Sequence, residues 1–202
     1  MTLTPLPTGR VGAVVTYLEM AARPDPRPVP TPPLRLHPRP SRDPACYRAL
    51  FERVGARWLW YSRLAMDEER LLREMGEVYA VVDEAGAEVG LVELDFRTAP
   101  DCLIRFLGLV PELAGKGHGR WLMAECVALA WRPGVERVKV NTCSLDHPAA
   151  LPAYLRAGFV AVGRAFESFP DPRLAGLLPA DAAPQIPLLG GWSRLPGAEG
   201  QR

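Results

Sequence analysis

The 202-residue chain has little charge of either sign to spare, with 24 lysines and arginines against 23 aspartates and glutamates. A formal charge of +1 sets up no field to hold nucleic acid or an anionic membrane surface. No apolar run approaches the roughly 20 residues that span a bilayer. The opening MTLTPLPTGR lacks a basic-then-apolar leader, so neither export nor a membrane span is expected. Cysteine is scarce: Cys46, Cys102, Cys126 and Cys143 show no CxxC spacing, and the last three lie in or beside apolar segments. Reduced thiols in a cytoplasmic protein are therefore expected. His37, His118 and His147 are scattered, with no second cysteine or carboxylate at ligand spacing, so no metal is expected. Ser144, Asp146 and His147 lie too close in sequence to form a hydrolase triad.

Proline is plentiful, with 22 residues concentrated at the two ends. The expected division is 1–33, an N-terminal strand plus proline-rich linker; 34–169, one compact domain; and 170–202, a Pro/Ala/Leu-rich tail of weak pattern. Val11 to Met20 has the β-branched content of a strand. Prolines between Arg23 and Pro33 make a stiff tether behind it. Such a strand could add to the edge of the main sheet or, in a homodimer, to a partner's.

Within the compact stretch, Leu34 to His37 is a short strand, and Asp43-Pro44 starts a helix running to about Arg57. A second helix lies near Asp67 to Met75, and Glu77 to Val82 pairs with Glu88 to Phe96 as a hairpin. Between the two helices, Trp58, Trp60 and Tyr61 are either core packing or the wall of a pocket.

Leu103 to Val110 is apolar apart from Arg105 and Gly108, as in a strand covered on both faces. Pro111 has no N–H to continue a ladder. Gly115, Gly117 and Gly119 follow, and from Gly117 the apolar residues recur at helical spacing up to the stop at Pro133-Gly134. The free N–H groups and positive dipole end of that helix suit a phosphate. A P-loop is excluded because Gly117, not Ser or Thr, follows Lys116, and Arg120 occupies the third glycine position of a dinucleotide fingerprint. A plain glycine turn is the alternative.

Arg137 to Thr142 reads as the next strand, Pro148 to Ala157 as a helix, and Phe159 to Phe166 as a strand. The helix between Val110 and Arg137 implies a crossover joining parallel strands, whereas the earlier strands join by tight turns. The fold class is α/β, a mixed, mostly antiparallel central sheet flanked by helices.

The glycine loop, followed one helix and one strand later by Ala150, Tyr154, Gly158 and Phe159 in Ala-x-x-x-Tyr and Gly-Phe spacing, resembles the GNAT-type N-acetyltransferase superfamily. Ala114 stands where that family usually has Arg or Gln, and His147 where it has Asn. The resemblance implies a GNAT-type fold, acetyl-CoA as co-substrate, and the amine of a small molecule or peptide as acceptor. It implies that main-chain N–H groups from Gly115 through Lys116, Gly117, His118 and Gly119 to Arg120 cradle the pyrophosphate. Backbone groups of Leu109 and Val110 would pair with the pantetheine arm, and His147 would face the cofactor. Lys116 and Arg120 either add charge to the phosphates or are simply solvated. Tyr154 would protonate the leaving sulfur; the alternative is a core tyrosine. Glu93 is the expected base, acting through a water, and the alternative is a paired structural carboxylate. A coenzyme A-binding module without turnover is the competing function.

Overall fold

Asp43 caps the first helix, α1 (Pro44–Gly55), by accepting from the N–H groups of Ala45 and Cys46, and Pro44 occupies the first turn, where an N–H has no partner anyway. Asp67 does the same for α2 (Glu68–Glu74). In the computed structural model, which describes residues 4–25, 28–39 and 41–189, these helices cover one sheet of seven strands. Part of the linker (26–27) and the last residues of the tail (190–202) lie outside the described residues.

The strands are β1 (Arg10–Met20), β2 (Leu34–Pro38), β3 (Glu77–Asp83), β4 (Glu88–Asp95), β5 (Asp101–Leu109), β6 (Arg137–Cys143) and β7 (Val160–Pro170). Helix α3 (His118–Ala130) joins β5 to β6, and α4 (Ala150–Ala157) joins β6 to β7. The spatial order is β2-β3-β4-β5-β6-β1-β7, antiparallel throughout except between β5 and β6. A mixed, mostly antiparallel sheet is thus what the sequence pattern predicts. Val138 and Val140 point into the core as their alternation requires. Among the described residues no helix is long and apolar enough to cross a membrane.

One feature departs from expectation. The N-terminal strand does not add to an edge: β1 sits inside the sheet, bonded to β6 on one side and β7 on the other. The first part of the tail is also built. Buried Arg173 pairs with Asp171 at 2.7 Å and donates to the carbonyls of Ala182 and Ile186. Leu178 and Ala183 then form a second apolar cluster with Val11 and Leu59. Leu59 holds a positive φ of 55°, which is strained for a leucine and tolerated because its side chain is buried in that cluster.

Strands β5 and β6 pair only from Asp101–Arg137 to Ile104–Val140. Beyond that point β5 stays with β4, but a register shift between Glu93 and Leu94 inserts one extra β5 residue, Arg105. A bulge of this kind bends its strand, and β5 and β6 part. The fork opens onto the cavity described next.

Candidate active site

A cavity of about 740 Å³ occupies the fork. Its walls come from β5 (Phe106 to Leu109), the glycine turn, β6 and the turn after it, α4, β7 and the aromatic segment after α1. Wall residues as far apart in sequence as Trp58 and Phe169 are brought together by the splay of two strands.

At one end, Gly115 and Gly117 adopt φ of +75° and +82°, the left-handed region that favours glycine. No side chain caps the α3 N-terminus, where Gly117 is the N-cap. A Cβ placed on Gly119 would meet no protein atom within 4 Å. The turn is therefore open main chain at the positive end of a helix dipole, suited to a diphosphate. Gly115, Gly117, Gly119 and Arg120 line the cavity, as expected. Lys116 and His118 do not: the chain reverses at the two glycines and Lys116 faces solvent.

The expected pairing strip is half there. Val110 donates its N–H to the Val89 carbonyl, so that group is not free. Alternation along the strand then turns the main-chain groups of Leu109 to the open side. Leu109 lines the cavity with those groups, and Val110 contributes a buried side chain to the wall.

Tyr154 is 7% exposed, packs edge-on against Phe159, and lines the cavity. Among the described residues nothing hydrogen-bonds its hydroxyl. Burial, with the charges of Cys126 and Asp146 adding, pushes its pKa well above the usual phenol value, so it stays protonated at neutral pH. His147 lines the cavity too, with its Nδ1 accepting from Ala149 N–H and its ring edge-on to Trp58.

Glu93 is not in this cavity. It is wholly buried, with Arg63 donating to Oε1 at 2.6 Å, Gly76 N–H donating to the same oxygen, and the Tyr47 hydroxyl donating to Oε2. The base expected from the sequence is a paired structural carboxylate. Its alternation chose the right face of β4 but could not show that Arg63 and Phe106 would stand between it and the fork.

Four contributors were not singled out. Asp146 accepts from the Thr142 hydroxyl and Cys143 N–H, and holds the Trp60 indole at 3.2 Å. Phe106 packs on Trp60, and Phe169 stacks on Tyr61 at 5.0 Å. Trp58, Trp60 and Tyr61 all line the cavity, which makes them its wall. Glu167 completes the lining from β7. The expected end of that strand was Phe166, one residue short of it.

A mixed sheet that forks onto a glycine turn and a tyrosine-bearing helix is an acyltransferase architecture. Residues 41–159 match the acetyltransferase (GNAT) family, and the chain belongs to that family. No curated protein matches significantly. Among solved structures, a GCN5-related N-acetyltransferase from Sphaerobacter thermophilus is similar at 20% identity and a TM-score of 0.55, over 81% of this chain and 52% of that one. The chain thus spans about half the length of that protein. Spermidine N-acetyltransferase from Vibrio cholerae, in complex with CoA and spermine, aligns at 19% identity and a TM-score of 0.51, over 65% and 83%. The ribosomal-protein-S18-alanine N-acetyltransferase of Escherichia coli aligns at 11% and 0.50, over 68% and 94%. Identities this low establish the fold and leave the acceptor to the site itself.

Proposed function

We propose that this chain transfers an acetyl group from acetyl-CoA to a primary amine of a small molecule or peptide, with Tyr154 as general acid. The observation that carries the reading is the buried, unpartnered phenol of Tyr154 in the same cavity as the open glycine turn. Acyl transfer to an amine requires a held donor, a neutral amine and a proton for the departing thiolate. The glycine turn supplies the first, through the N–H groups from Gly115 to Gly119, the Arg120 N–H being taken by the Gly117 carbonyl, and Leu109 offers a main-chain edge for the pantetheine amides. Tyr154 supplies the last. Its raised pKa does not disqualify it, because the same burial makes a thiolate in this cavity more basic. The Cys143 thiol, in the same lining, is pushed up to about 11 by burial and the nearby Asp146.

A coenzyme A-binding module without turnover is the second reading, and the engagement of Glu93 in an ion pair is what favours it. Thiol release measured with acetyl-CoA and an amine panel separates the two. The enzyme reading expects release with at least one amine, and a Tyr154→Phe variant that still gains thermal stability from acetyl-CoA but loses about 10²-fold or more in kcat. Stabilisation by acetyl-CoA with no release from any amine would establish the binding module instead.

A further inference from the structure

The four buried carboxylates among the described residues each have a cationic partner. Glu93 has Arg63, Asp95 has Arg97 and Arg105, Asp101 has Arg137 and Lys139, and Asp171 has Arg173. The two carboxylates of the cavity differ. Among the described residues neither Asp146 nor Glu167 has a lysine or arginine at ion-pair distance. The arginines of the lining belong to other elements: Arg105 on β5 is engaged by Asp95, and Arg120 and Arg156 are on α3 and α4.

The surroundings of Glu167 are aromatic. It lies opposite Ala13 in the β1–β7 register, on the strand face it shares with Phe169, whose ring stacks on Tyr61. Trp58 and Trp60 continue the wall, and Trp60 is fixed to Asp146. The Tyr154 side chain, 7% exposed and with no hydrogen-bond partner for its hydroxyl among the described residues, belongs to the same lining. An aromatic recess with two carboxylates, exposed Glu167 and half-buried Asp146, and no protein cation among the described residues at ion-pair distance from either suits a cationic ligand.

We propose that the recess framed by Glu167, Asp146, Trp58, Tyr61 and Phe169 is the acceptor subsite, that it takes a primary ammonium group carried on an apolar body, and that Glu167 removes its proton. The catalytic half rests on the acetyl-transfer reading. Glu167 takes one of the three ammonium protons, and the freed lone pair forms the C–N bond to the thioester carbonyl carbon. The C–S bond breaks with its electron pair on sulfur. Sulfur takes the Tyr154 proton, and Tyr154 recovers one from the nitrogen of the new amide. The net product besides amide and thiol is one proton, which leaves from Glu167 to solvent. Burial and the Asp146 charge raise the Glu167 pKa, which makes its carboxylate a stronger proton acceptor. The groups that sense or face it are Asp146, Tyr61 and Cys143, with Arg10 on the neighbouring strand tied to Ser168. An acceptor carrying its own carboxylate would meet like charge in the recess.

Two probes share a body and differ by one carboxylate: 2-phenylethylamine and phenylalanine. Wild-type protein with acetyl-CoA is expected to show kcat/KM about ten-fold or more higher for the amine. Glu167→Gln is expected to lower that value by about 10²-fold, to flatten the rising limb of its pH profile, and to leave acetyl-CoA affinity unchanged. Calorimetric binding of 2-phenylethylamine to the CoA-saturated protein, which needs no turnover, is expected to weaken several-fold in Glu167→Gln. Equal use of the two probes, or a variant with wild-type kcat/KM and pH profile, overturns the proposal. Failure of the wild type to release thiol would sink the acetyl-transfer reading instead, and with it the proton step. The subsite would then stand or fall on the calorimetry, where a dissociation constant indifferent to Glu167→Gln removes it.

Discussion

Glu93 and Phe106 are cross-strand partners on β4 and β5, yet the Phe106 ring lines the cavity and the Glu93 carboxylate does not. The Arg63 guanidinium that neutralises Glu93 lies 5.3 Å from the centre of that ring. An ion pair and an aromatic layer thus separate the most buried acid among the described residues from the cavity.

Removing one partner of a buried pair strands the other charge. Glu93→Ala is therefore expected to cost about 3–5 kcal/mol of stability, read from urea unfolding. Thiol release per folded molecule should stay near wild type. A stable Glu93→Ala protein that has lost turnover would return Glu93 to the active site.

Gly119 separates ligand space from protein space. A methyl group there meets no protein atom, and its φ is not left-handed, so Gly119→Ala should change the melting temperature by little. The methyl would enter the region assigned to the pyrophosphate, and acetyl-CoA binding should weaken about ten-fold or more. Unchanged affinity by calorimetry would place the phosphates elsewhere.

Deletion of residues 1–33 removes an interior strand. Both β6 and β7 would lose a ladder, and Leu18 and Met20 would leave the core. The shortened chain is expected to lack a cooperative unfolding transition by circular dichroism. A folded, monomeric truncation with full activity would contradict the placement of β1.

Hydrogen bonds from Arg97, with Arg105 adding, hold the Asp95 carboxyl well below the usual carboxylate range despite its burial. A depressed folded-state pKa stabilises above the unfolded value, near 4, and that stabilisation is lost as pH falls through the folded value. Wild-type stability contributed by this cluster should thus fade only below about pH 4. Arg97→Ala should move the acid-unfolding midpoint upward in pH. An unmoved midpoint would show that the pair contributes nothing.

Where order along the chain is local, the sequence is a good guide. The cap Asp43, the helix that begins near Asp67, the hairpin around Gly86, and the glycine turn into α3 rest on neighbours a few residues away, and each stands where its pattern puts it. The misreadings come from partners far off in sequence. Glu93 looked available because Arg63 and Tyr47 are 30 and 46 residues distant. Glu167 fell outside its strand because β7 is prolonged to Pro170 by pairing with Arg10. The tail's pattern looked weak because Leu178 and Ala183 pack against Val11 and Leu59, far earlier in the chain.

The interior position of β1 has a consequence for synthesis on the ribosome. Arg10 and Ser168, joined by a side-chain hydrogen bond, are 158 positions apart, so the first strand to emerge must wait for nearly the last. Until residues 137–170 arrive, Val11, Val15 and Leu18 have no ladder to enter, and closing so long a loop is slow compared with local pairing.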